Sequence, residues 1–168
     1  MNTLLLGNLI SLVGCLVMVA GGFLKEKKRI LLVQCFQFGL QGTANLILGA
    51  VTGAVAGLVG ILRNVVFSKV RVTWGLKMLF VGIQLVLSWA SLQTGWLEWL
   101  PFVAAVMLTC FLDVKSEVWL KVLFIVTLLL WMVYDVCYRN YAALTFGVLT
   151  IVSNAIGIVM VLRGGKKE

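Results

Sequence analysis

Histidine is absent from the 168 residues of this chain, proline occurs once, and aspartate and glutamate together number 6. Each shortage excludes something. Cys15, Cys35, Cys110 and Cys137 are scattered one to an apolar segment and read as small apolar fillers. With no histidine and no cysteine pair, neither a transition-metal centre nor a dithiol redox motif is expected. General acid–base and nucleophilic chemistry need convergent titratable groups, so no enzyme activity and no cofactor is expected either. Charged residues make up 12% of the chain, against roughly a quarter in a soluble domain, which is too few to cover a surface in water.

Apolar residues make up 62% and the mean hydropathy is +1.09, the composition of an integral membrane protein. A net charge of +8 would suggest nucleic acid if it were gathered into a patch. It is spread between apolar segments instead, so it reads as a topology signal and nucleic acid is not an expected partner. The first apolar segment has no basic residues before it, and positive charge follows only at Lys25, so it is expected to stay as a helix and not to be cleaved.

A spanning helix takes about 20 mostly apolar residues. On that rule seven spans are expected: Thr3–Leu24, Ile30–Leu48, Val51–Phe67, Thr73–Leu92, Trp96–Leu112, Val118–Tyr138 and Tyr141–Leu162. The connections are short, so residues 1–168 form a single all-α membrane domain. Of the 14 basic residues, all but Arg139 then share one face, which the positive-inside rule assigns to the cytoplasm. The N-terminus is expected outside and the C-terminus, with its solvated RGGKKE tail, in the cytoplasm. Trp89, Trp96, Trp99, Tyr138 and Tyr141 fall near the outer boundary and Trp74 and Trp119 near the inner one, as interfacial aromatics should.

Laying the first three spans on the last three with a shift of 90 residues brings scarce polar residues together. Lys25 meets Lys115, Asn45 meets Asp135, Gly57 meets Gly147 and Asn64 meets Asn154. Two copies of a three-helix unit keep the same orientation only if one extra helix carries the chain back. The expected architecture is therefore 3+1+3: a first repeat over 3–68, a linker helix over 73–92 and a second repeat over 96–162, related by an axis along the membrane normal.

Chemistry concentrates in a few places. Gln34, Gln37, Gln41 and Asn45 fall on one side of the second helix, either as interhelical hydrogen-bonding groups or, the favoured reading, as the lining of a water-accessible cavity. The third span aligns Gly53, Gly57 and Gly60 for close packing and ends in Asn64; Asn154 has the equivalent place in the seventh, so the two either face each other across the axis or simply bond neighbouring helices. Gly21 and Gly22 serve packing or form a flexible point. The fourth span, with Gln84 and Ser88, looks like a linker, and Pro101 marks a helix start. Trp131 either packs or stacks on a flat ligand. Asp135, an intramembrane carboxylate, is either ion-paired with Arg139 at i+4 or a proton or cation site. The candidate substrate-binding set is Gln37, Gln41, Asn45, Asn64, Trp131, Asp135 and Asn154.

The runs KKRILLVQCFQF and GTANLILGAVTGA and the ILRN ending at Asn64 resemble the YgjV family of bacterial inner-membrane proteins over nearly the whole chain. That implies the inner membrane as compartment. The 3+1+3 layout is more distantly similar to the SWEET sugar facilitators, the PQ-loop proteins and the PnuC-type carriers. There the resemblance implies a central pocket, with Asn64, Asn154, Trp131 and Gln41 at the matching positions. This chain departs from those families in having no proline–glutamine motif and no proline hinges. The expected function is a small-solute transporter or facilitator for a neutral or zwitterionic polar solute. The alternative is a nontransporting membrane scaffold or sensor. Expected partners are the lipid bilayer and a small polar solute, with a homo-oligomer left open.

Overall fold

The computed structural model describes residues 2–21, 27–91, 95–111 and 116–164. The expectations placed on Gly22, Leu24, Lys25, Leu92, Leu112, Lys115 and the last four residues lie outside that range. Among the described residues there are seven α-helices and no strand: α1 (Thr3–Gly21), α2 (Lys27–Ile47), α3 (Val51–Lys69), α4 (Trp74–Ser91), α5 (Leu100–Phe111), α6 (Glu117–Cys137) and α7 (Tyr141–Gly164). A 3₁₀ turn, Trp96–Trp99, leads into α5, and Pro101 sits fully buried in the first turn of that helix, where its missing N–H has no intrahelical partner to lose.

Among the described residues, three segments are long and apolar enough to cross a membrane on their own: Val51–Lys69, Trp74–Ser91 and Tyr141–Met160. Thr3–Val19 and Trp96–Phe111 are apolar but shorter. The amide stripe and the basic start of α2 lower its hydropathy, although its 21 residues would rise about 31 Å. Large apolar side chains point outward from every helix, among them Leu5, Phe36, Leu58, Val86, Val103, Leu129 and Met160, while Thr52, Thr127, Asn45, Asn64 and Gln84 are buried. That inversion of the soluble pattern is what a hydrocarbon surround selects.

Neighbouring helices pack in the order α1–α2–α3 and α5–α6–α7; α1 also packs on α7 and α3 on α5, closing a ring of six helices, and α4 lies against α3 and α5. Close approach inside the first group depends on glycine. A methyl group at Gly57 would stand 3.3 Å from the Phe38 carbonyl oxygen, and one at Gly60 3.0 Å from the Phe38 ring. At the basic end of the bundle, Leu31, Val59, Phe67 and Phe80 join α2, α3 and α4 in a small apolar core, with Phe67 and Phe80 edge to face at 5.6 Å.

The α2–α3 and α6–α7 connections repeat the same turn 90 residues apart. Gly49 and Arg139 have φ of 82° and 57°. Each donates its N–H three residues back, to Leu46 and Val136, and the next residue donates five back, Ala50 to Asn45 and Asn140 to Asp135. Helix α2 and helix α6 have 21 residues each, starting at 27 and 117, and α3 and α7 start at 51 and 141.

Candidate functional site

Two polar clusters occupy opposite ends of the bundle, with a third contact between them. At the turn end, Glu98 is buried on the 3₁₀ turn and accepts hydrogen bonds from the hydroxyls of Thr52 on α3 and Tyr138 after α6. The fully buried Tyr134 extends the chain: Gly53 N–H donates to its oxygen at 2.9 Å, and its hydroxyl lies 2.9 Å from Thr52 Oγ1. Beside it Asn140 Nδ2 donates to Asn45 Oδ1 at 3.3 Å, tying the α6–α7 turn to α2. Asn8 on α1 donates to the Arg139 carbonyl at 2.9 Å and accepts from Ala142 N–H at 3.0 Å.

At mid-depth, Ser11 Oγ donates to Gln41 Oε1 at 2.9 Å, and Gln41 Nε2 reaches the Ser11 carbonyl and the Cys15 thiol at 3.2 Å each. At the basic end, the Arg63 guanidinium donates through Nε and Nη2 to Asn64 Oδ1 at 3.2 Å and through Nη1 to Thr109 Oγ1 at 3.1 Å. Asn64 Nδ2 donates on to Gln34 Oε1 at 3.0 Å. Lys77 Nζ donates to the Cys110 carbonyl at 3.0 Å, one residue beyond Thr109.

The candidate residues are thus distributed along the interior rather than gathered at one pocket. Gln34, Gln41 and Asn45 bond α3, α1 and the α6–α7 turn respectively, the hydrogen-bonding reading of the stripe. Long side chains on one face of α2, with α1 and α3 on either side, reach both neighbours. Gln37 is half-buried and makes no hydrogen bond to another described residue. Asn64 is fully buried, while Asn154 is half-buried and donates to the Thr150 carbonyl of its own helix at 2.9 Å; no hydrogen bond joins the two. Trp131 packs edge to face on Tyr134, with centroids 5.9 Å apart.

Asp135 is buried, and its carboxylate accepts no hydrogen bond from another described residue. The ion pair with Arg139 is not formed. Pairing at i+4 needs a continuous helix, and α6 ends at Cys137, with Arg139 in the left-handed turn and exposed. Sequence reasoning missed three buried charges. Arg63 and Lys77 were assigned to a cytoplasmic surface, yet each is only 5% exposed, and Glu98, at the edge of its span, is 3% exposed. For Arg63 the signal was present, since it stands a turn inside the expected third span, where an ionisable residue is functional by default. Gln84 and Ser88 on α4 are also buried and bond each other at 3.0 Å.

Two shallow concavities lie on the outside of the bundle. One runs between α1 and α7, lined mainly by Leu5, Leu9, Leu12, Tyr141 and Thr145, and the other along α4. Among the described residues no group of histidine, cysteine and carboxylate side chains is placed to hold a metal ion.

An apolar exterior around a polar interior, built from helices that include three of membrane-crossing length, defines a helical integral membrane protein. A family model described as Imp-YgjV, bacterial inner membrane protein, matches residues 5–164. The chain belongs to that family and is a bacterial inner-membrane protein. No curated protein and no solved structure matches it.

Proposed function

We propose that the chain is a small-solute transporter or facilitator for a polar solute, working by rocking of two parallel three-helix repeats about the polar interior. Its N-terminus lies outside and its C-terminus in the cytoplasm. The observation that carries this reading is Asp135, a carboxylate buried in a membrane bundle with no hydrogen-bond partner among the described residues, at one end of a column of amides that continues through Gln41 to Asn64. Packing alone does not call for a carboxyl group inside a membrane bundle, where an ionisable side chain is costly.

Several contacts support the two-repeat reading. With a shift of 90 residues, α1 corresponds to α5 and α3 to α7, so the α1–α7 and α3–α5 contacts are equivalent. Asn8 corresponds to Glu98: Asn8 holds the start of α7 at Ala142, and Glu98 holds the start of α3 at Thr52. Exposed Trp89 and Trp96 at the turn end and Trp74 and Trp119 at the basic end suit the two interfaces. In this reading the hydrogen bonds at both ends hold an occluded state, and access requires one cluster to part.

A second reading rests on Gln34, Gln41 and Asn45, which are already engaged between elements. This is what a nontransporting scaffold or sensor would need. The test is thiol labelling from each side of the membrane, with single cysteines at positions 41, 45, 64, 135 and 154 in a background lacking the native cysteines. Labelling of the deep positions, switching side or blocked by a solute, is the expected result. If 41, 64 and 154 stay unlabelled from both sides in folded protein, the scaffold reading takes its place.

A further inference from the structure

We propose that Arg63 is the centre of an anion-binding site at the basic end of the bundle, taking the carboxylate or phosphate group of a ligand; as a substrate site it rests on the transport reading above. Arg63 is 5% exposed, and its guanidinium sits among groups of α2, α3 and α5. All the partners it has among the described residues are neutral: the Asn64 amide oxygen, which takes two of its N–H groups, and the Thr109 hydroxyl, which takes a third. Among the described residues no carboxylate pairs with it. A guanidinium carries five N–H donors and keeps its charge, so one N–H on each terminal nitrogen is left for a further acceptor.

The surrounding bonds orient this group rather than neutralise it. Gln34 accepts from Asn64 Nδ2, which turns the Asn64 oxygen toward the guanidinium. The Thr109 hydroxyl donates to the Ala105 carbonyl at 2.7 Å, which presents its lone pairs to Nη1. Positive charge withdrawn from water needs a compensating negative charge to be stable. With none supplied by the described chain, a bound anion fills that role, and bidentate carboxylate and phosphate groups match the fork of an arginine. A solute carboxylate or phosphate and the headgroup phosphate of an anionic lipid share this chemistry.

The test uses the full-length protein in nanodiscs, of neutral lipid alone and with added phosphatidylglycerol, with acetate and inorganic phosphate titrated against chloride at constant ionic strength. In wild type, phosphate or acetate should raise the melting temperature saturably and shift the Arg63 Nε signal of arginine-labelled protein, assigned by its loss in R63Q. Apparent affinity should fall at least tenfold in Arg63→Gln and be partly kept in Arg63→Lys. A response confined to neutral-lipid discs, with the Arg63 signal already shifted by phosphatidylglycerol, assigns the site to a lipid headgroup; a response in both assigns it to a soluble anion. Equal responses in wild type and Arg63→Gln, or no saturable response in either, overturn the site. Should Arg63→Gln not fold, failure of the wild-type signal to respond to any of the three anions overturns it as well. Anion binding without transport in proteoliposomes removes the transport reading and keeps the site, whereas transport unchanged in Arg63→Gln keeps transport and removes its role as a substrate site.

Discussion

At the scale of single residues, the two left-handed positions show how much depends on side-chain size. Gly49 turns α2 into α3 without strain, while Arg139 makes the equivalent turn with a Cβ, in a conformation that costs an L residue roughly 1 kcal/mol. Arg139→Gly should therefore be neutral to slightly stabilising in thermal unfolding, and leave orientation unchanged, since basic residues concentrate at the other end. Gly53→Ala should do the opposite. A methyl group there would stand 2.8 Å from both Asn45 Nδ2 and the Tyr134 ring, so the Tyr134–Thr52 contact must shift, at a cost of about 1–3 kcal/mol measurable as a lower melting temperature. Asp135→Asn keeps the shape and removes the charge. It should abolish any pH or cation dependence of transport, and an unchanged pH profile would count against coupling through this group.

At the scale of the element, α2 carries the test between the two readings of function. Gln37 has no described hydrogen-bond partner and Gln41 bonds α1 through Ser11 and Cys15. Interhelical bonds in membranes average about 0.6 kcal/mol, little enough for better apolar packing to replace. Replacing Gln37 and Gln41 together by leucine should leave melting temperature within a few degrees of wild type and abolish solute uptake. Preserved function with equal or greater stability would instead identify the amides as packing groups. Helix α5 makes a complementary point: it has only 12 residues, and the 3₁₀ turn before it brings Glu98 into the interior.

For the whole molecule, the matched contacts Asn8–Ala142 and Thr52–Glu98 join the two halves on opposite sides of the ring. If the halves rock, both contacts bridge moving bodies. Cysteine pairs at 8 and 142, and at 52 and 98, should each be bridged by a short bifunctional thiol reagent, and either bridge should reduce transport at least tenfold, reversibly on reduction. Transport that survives both bridges would exclude rocking of the halves. The bundle's outer surface, with side chains such as Phe36 at 76% exposed, needs lipid around it for any such measurement.

Composition alone determined that this chain lives in a bilayer, because 62% apolar residues leave no means of covering a soluble surface. Helix positions were legible from the lengths of the apolar runs, and Asn45 and Asp135, 90 residues apart, each accept the N–H that closes a left-handed turn. What the sequence could not reveal was the direction in which polar side chains point. Asn64 and Asn154 have equivalent positions, yet one joins a network across three helices and the other bonds its own helix. Arg63 counts by sequence among the basic residues of one face, yet neighbouring helices close over it. Burial and hydrogen-bond partners depend on which helices become neighbours. Hydropathy along a chain measures affinity for lipid; it does not contain the choice of neighbour, which only the packed ring decides.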